Sequence, residues 1–204
     1  MTVLEDRIEM ADADADTDTD TERLDEWFER LERMPVPEGY RVEIVGGNVF
    51  MTPQRDTHWV IIRRIVRALE DRFGMNVKAF SDVRIDFPGH ENGLSGFCPD
   101  VALLKASAKK DKKGHWRYQD VLFVAEVISQ GTAANDYGPK RFAYAEAEVP
   151  LYVIAGPYQG RCHVYTDPKQ GDYDEPTRVD FGNDIDLTGT VLDLVLKTDD
   201  FPRD

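Results

Sequence analysis

The sequence predicts an α/β (α+β) layered domain, and three observations carry that prediction. Over residues 58–73, Ile62, Ile65, Val66, Leu69 and Phe73 form one stripe while Arg63, Arg64, Arg67, Glu70 and Asp71 lie off it, the period of an amphipathic helix. Strand-like segments follow over 77–87, 97–104 and 121–128, and the last, VLFVAEVI, is almost wholly apolar, as a strand covered on both faces requires. A helical segment over 139–147 and a second apolar run, LYVIAG, complete the order helix, three strands, helix, strand.

Around this core each element has its own signal. The stretch ADADADTDTDTE, 11–22, offers no apolar face to bury, so 1–22 reads as a disordered acidic tail. From Thr21 onward Leu24, Trp27, Phe28 and Leu31 recur at helical spacing, and Met34-Pro35-Val36-Pro37 ends that helix. RVEIVGGNVFMTP alternates on both sides of Gly46-Gly47-Asn48, which predicts a hairpin. Gly74 closes the long helix, and Pro139 suits the first turn of the short one. RCHVYT, 161–166, predicts a strand paired with LYVIAG, so the domain spans 23–166. Residues 167–204 are polar and turn-rich apart from an alternating segment over 190–196, and read as an acidic extension partly packed on the domain.

A chain of 204 residues accommodates one domain. No apolar run approaches the roughly 20 residues of a membrane span, and MTVLEDRIEM lacks the layout of a signal peptide. The expectation is a cytoplasmic protein with no membrane partner. Cys98 and Cys162 are too few for a disulfide framework and read as small buried hydrophobes. The net charge of −14 argues at first against holding phosphates. It is unevenly spread: residues 1–26 hold 11 acids and 2 bases, 167–204 hold 11 acids and 4 bases, and 27–166 hold 17 acids and 19 bases. The four histidines stand alone and neither cysteine has a CxxC partner, so no zinc motif is present. Walker, GxGxxG and GxSxG motifs are missing too, which removes kinase, dehydrogenase and serine-hydrolase readings.

Glu126 is the chemically odd residue. It sits inside VLFVAEVI, where an ionised carboxylate costs several kcal/mol unless a cation or hydrogen bonds meet it. Asp100 stands at the mouth of CPDVALL, and two acids on adjacent strands can share a hard divalent cation. Each acid can instead pair with a local base or cap a turn.

The order of elements and the place of these acids resemble the PD-(D/E)XK nuclease superfamily, and within it the Uma-two family of restriction-endonuclease-like proteins. The matching residues are YRVEIVGGNVFMTP with His58 after it, CPDVALL, FVAEVIS, the series Thr132, Asp136, Lys140 and Tyr144, and VPLYVI before Gly156-Pro157. The resemblance implies a restriction-endonuclease-like core with an added N-terminal helix and hairpin. It implies that Asp100 and Glu126 hold Mg²⁺ or Mn²⁺, and that Asp100, Glu126 and Lys140 are catalytic. The superfamily's lysine normally lies two positions after the second acid, which here is Ile128, and Lys140 on the following helix is the substitute. Glu43 matches a further family acid, as ligand or orienter, or else is a surface strand acid. Ser129, Thr132 and Asp136 can hold metal waters or cap the helix, and capping is the default for Asp136. Tyr144, one turn after Lys140, can steady the amine or belong to the core. His58 reads as a cap or a substrate contact.

The activity so implied is metal-dependent hydrolysis of phosphodiester bonds in DNA. The bases that would grip the substrate are Lys105, Lys109, Lys110, Lys112, Lys113 and Arg117, with Trp116 and Tyr118 nearby for stacking, and Arg63, Arg64 and Arg67 on the long helix. A solvated loop is the alternative reading of the lysine-rich segment. A rival from another class is a catalytically degenerate nuclease fold serving as a nucleic-acid-binding or scaffold module. By analogy, a homodimer through the hairpin and the N-terminal helix is expected.

Overall fold

The structure, a computed structural model, describes residues 17–33, 40–53, 55–88 and 94–204. The chain begins with helix α1 (Thr17–Glu32) and the hairpin β1 (Tyr40–Val45) and β2 (Asn48–Pro53), followed by helix α2 (Asp56–Phe73). Then come β3 (Ala79–Phe80), β4 (Ile85–Pro88), β5 (Leu94–Phe97), β6 (Val101–Leu104), β7 (Trp116–Arg117) and β8 (Val121–Val127). Helices α3 (Ala133–Tyr137) and α4 (Pro139–Glu146) lead to β9 (Leu151–Gly156), β10 (Arg161–Thr166), β11 (Thr177–Asp180), β12 (Ile185–Asp186) and β13 (Val195–Leu196).

Helix α1 starts at Thr17, inside the stretch expected to lack structure; residues 1–16 and the expected stop over 34–37 lie outside the described residues. Thr and Asp, which make that stretch look featureless, are also the types that helix N-termini favour. The hairpin turns at Gly46 and Gly47, both at positive φ (54° and 75°), the conformation a two-residue hairpin loop needs. In α2, Ile61, Ile62, Ile65 and Leu69 are buried, but Phe73, the last helical residue, is 42% exposed.

Each of the first two expected strands is in fact two. Residues 77–87 divide into β3 and β4 around Asp82, whose φ is 55°, and 97–104 divide into β5 and β6 around Cys98-Pro99-Asp100. The two corners are joined, Asp82 N–H donating to Pro99 C=O at 3.1 Å. In consequence the segments feed two sheets, a five-stranded one ordered β2-β1-β5-β4-β7 and a six-stranded one ordered β11-β10-β9-β8-β6-β3. Strand β8 lies inside the second sheet, antiparallel to β6 and parallel to β9, with α3 and α4 forming the crossover that a parallel pair requires.

Alternation along β8 sorts its residues between two cores. Val124 and Ile128 join Val45, Phe87, Phe97, Tyr144 and Tyr152 on the side of α4, and Glu126 shares their face. Phe123, Ala125 and Val127 join Ile61, Ile65 and Leu69 of α2, together with Phe181, Leu187, Leu192 and Phe201 from the acidic C-terminal stretch. Of the segment 190–196 only Val195–Leu196 is strand, while β11 adds an edge to the larger sheet. Leu24, Leu31 and Ile44, which the sequence offers as a face for a second copy, are buried against one another. Cys162 is buried, but Cys98, at the corner between sheets, is half-buried. No described helix is long and apolar enough to cross a membrane.

Candidate active site

The register Val101 opposite Ala125 brings Asp100 beside Glu126 at the mouth of β6 and β8. Both are nearly sealed from solvent, at 3% and 1% exposed, and both use backbone to hold position. Val127 N–H donates to Asp100 Oδ2 at 2.7 Å, and Asp100 N–H donates to Glu126 Oε2 at 3.3 Å. Helix α4 supplies the donors for the other Glu126 oxygen: Tyr144 OH at 2.7 Å and Lys140 Nζ at 3.1 Å reach Oε1. These two residues are one helical turn apart on one face.

Lys140, 2% exposed, also meets Glu43 Oε2 at 2.8 Å and Asp136 Oδ1 at 3.3 Å. Glu43 is therefore no surface acid; its second oxygen accepts from Cys98 N–H at 3.0 Å. Asp136 is no helix cap, since neither α3 nor α4 shows a side-chain cap bond, and its carboxylate faces Lys140 instead. Tyr144 is both core and site, its ring edge-on to Phe87 and Tyr152, with centroids at 4.9 Å in each case. Ile128 is buried among apolar neighbours, and the amine that reaches Glu126 comes from α4 as Lys140 Nζ.

Arg41 is the residue that the sequence reading missed. Its Nη1 donates to Asp100 Oδ1 at 2.5 Å, Asp82 Oδ1 at 3.3 Å and the Cys98 carbonyl at 3.0 Å. The signal was the two-residue spacing to Glu43 on β1, which points both side chains to one face.

Charge in this cluster does not balance. Four buried carboxylates, Glu43, Asp100, Glu126 and Asp136, share two cations, Arg41 and Lys140. Burial pushes the Asp100 carboxyl up against the pull of Arg41 and the Val127 N–H, and it pushes Asp136 up to about 7 despite Lys140. Burial also opposes the charge on Lys140, but Glu126, Asp136 and Glu43 reverse that and hold it firmly protonated. Oxygen donors with surplus negative charge fit a hard divalent cation, which would share Asp100 and Glu126 with the bases already there. Among the described residues, a trio with all ligand atoms within 4.8 Å of one another occurs elsewhere, at Asp25, Asp86 and His115. Arg84 binds both of those aspartates, at 2.9 Å and 2.7 Å, and already supplies a positive charge there.

The remaining expected residues lie apart. Ser129 Oγ pairs with Thr132 Oγ1 at 3.0 Å in the loop before α3. Lys105 follows the last residue of β6 whereas Asp100 precedes its first, so the lysine-rich segment leaves the opposite end of the sheet, roughly 16 Å along the strand. Lys105 Nζ binds the Gln119 carbonyl at 2.6 Å, and Lys113 faces Glu22 and Asp25 of α1 at 3.8 and 3.9 Å. Lys109, Lys110, Lys112 and Arg117 are exposed. Trp116 is not a free stacking surface, because Phe80 stacks on it at 5.1 Å, and Tyr118 packs against Phe87. On α2, Arg64 pairs with Asp200 at 2.8 Å, while Arg63 and Arg67 are exposed. A cleft of about 100 Å³ opens at Asp100, lined also by Arg41, Arg55, His58 and Trp59. A larger cavity of about 370 Å³, lined by Tyr137, Arg141, His163 and Tyr165, includes none of the four carboxylates.

The two-sheet α/β fold is nuclease-like. It is similar to a crystal structure described as a putative nuclease belonging to DUF820 from Anabaena variabilis, with a TM-score of 0.63 and 15% sequence identity, covering 85% of this chain and 95% of that one. No protein of curated function matches the chain significantly. A family model described as "Uma2: Putative restriction endonuclease" matches residues 27–199, and the chain belongs to that family.

Proposed function

We propose that the protein is a metal-dependent endonuclease hydrolysing phosphodiester bonds in DNA, with Asp100 and Glu126 holding Mg²⁺ or Mn²⁺. The observation that carries this reading is the buried excess of carboxylates converging on Lys140 at the mouth of β6 and β8. Bound there, such a cation supplies a water of lowered pKa and offsets charge on the scissile phosphate.

The chain's own groups divide the remaining work. Tyr144 and Lys140 fix one Glu126 oxygen, so that carboxylate needs no reorganisation when substrate arrives. Lys140 is held as an ammonium by its acids, so it acts as a donor and a positive charge toward the attacking water or the phosphate, not as a base. Arg41 balances Asp100 and is the second fixed charge beside the phosphate position. The exposed lysines at the far end of the sheet add a general attraction for the polyanion.

Supercoiled plasmid incubated with the protein tests this. Nicking in Mg²⁺ or Mn²⁺, abolished by a chelator and by Glu126→Gln, is the expected result. Cleavage that survives Glu126→Gln, or no cleavage by the wild type in either metal, contradicts it and favours a binding module.

A further inference from the structure

The cleft at Asp100 holds chemistry that the ion-pair cluster does not use. His58, in the first turn of α2, is buried, yet its Nε2 has no hydrogen-bond partner among the described residues. Arg41 Nε, an obligate donor, has no hydrogen bond either, though Glu43 Oε2 stands 3.9 Å from it as an ion-pair partner. Both residues line the cleft that Asp100 opens into, and a buried polar atom such as His58 Nε2 left without a hydrogen bond costs free energy unless a ligand meets it. Arg55, at the rim, reaches Asp204 only at 3.4 Å, longer than the 2.7–2.9 Å or so of a good charge-assisted bond. Beside it Trp59 is 57% exposed, its indole left on the surface although Ile61, Ile62, Ile65 and Leu69 of the same helix are buried.

We propose that this cleft binds single-stranded DNA, with the base of one unpaired nucleotide stacked on Trp59 and its phosphate held by His58 and Arg55. The inference rests on the nuclease reading for the identity of the polymer. Stacking on an indole needs a free base face, which a continuous duplex does not offer. A cleft of about 100 Å³ admits a phosphate and its immediate surroundings and not a double helix. The basic segment that would track a duplex stands at the other end of the sheet. The phosphate would take over the Arg55 contact now made by the Asp204 carboxylate.

Binding is read with metal chelated, so that no turnover is involved. A labelled 12-nucleotide single strand and the blunt duplex of the same sequence are titrated at low salt by fluorescence anisotropy. The single strand is expected to bind more tightly than the duplex. Trp59→Ala should weaken single-strand binding roughly tenfold, the scale of one lost base–aromatic stack, and Trp59→Phe should retain most of it. His58→Gln should weaken binding by the same factor whether introduced alone or together with Trp59→Phe, with melting temperatures confirming that all variants fold. Equal affinity for duplex and single strand, or unchanged affinity in Trp59→Ala, overturns the proposal. Trp59-dependent binding with no cleavage of either the plasmid or the single strand in Mg²⁺ or Mn²⁺ would remove the nuclease reading and leave this one standing. Cleavage together with Trp59-independent binding would do the reverse.

Discussion

Replacing Lys140 by Met leaves Glu43, Glu126 and Asp136 facing one another without their cation. Uncompensated buried charge of this kind costs about 3–5 kcal/mol, so urea unfolding of Lys140→Met should show a clearly lowered midpoint. Tyr144→Phe keeps the ring packing and removes one donor from Glu126; about 1–2 kcal/mol is expected from the same measurement. The excess of carboxylates also sets a pH dependence. Asp136, at about 7 in the fold, has an ordinary aspartate value near 3.9 when unfolded. Between those values the native state holds more protons at this group, so the contribution of Asp136 to stability is fully present below about 4 and is lost as pH rises through about 7. Denaturation midpoints at a series of pH values should fall across that window, and Asp136→Asn should flatten the fall. At this scale Glu126 stood out because an acid in an apolar strand demands a partner, whereas Asp100 and Lys140 were singled out by the family resemblance. Arg41 and Trp59 were not, because an arginine on an alternating strand and a tryptophan off a helical stripe look like ordinary surface residues.

Among the elements, the hairpin, α2, β8, α4 and the β9–β10 pair follow directly from periodicity and turn residues. The splitting of two strands between sheets does not, because it depends on corners at Asp82 and Pro99 whose backbone bond is long-range. Those corners matter chemically, since Asp100 occupies one of them. The seating of α1 rests on a similarly hidden feature. At Gly96 of β5 a Cβ would lie 2.5 Å from Cε2 of Phe28. Gly96→Ala should therefore push α1 from the sheet at a cost of about 1–3 kcal/mol, seen as faster proteolysis within 17–33 while the rest of the domain stays resistant.

For the whole molecule, the acidic ends are not simply appended. Arg64–Asp200, Arg72–Asp193 and Lys113–Glu22 pairs tie them to basic residues of the centre, though exposed pairs of this kind contribute little each. The apolar residues between the charges do more: Phe181, Leu187, Leu192 and Phe201 close the core beneath α2. A chain ending at Thr166 should lose cooperative thermal unfolding, because Ile61, Ile65 and Leu69 would lose their cover. The sequence suggested partial packing of this stretch, through its alternating segment over 190–196, but not that Phe181, Leu187 and Phe201 join the same core. The buried excess of carboxylates lies instead in the central part, at Glu43, Asp100, Glu126 and Asp136, and the proposed activity requires that Asp100 and Glu126 take a divalent cation. Calorimetric titration of Mn²⁺ tests that most directly: one site per chain, lost in Asp100→Asn and in Glu126→Gln, is the result predicted, and Mn²⁺ binding undiminished in both variants would contradict it.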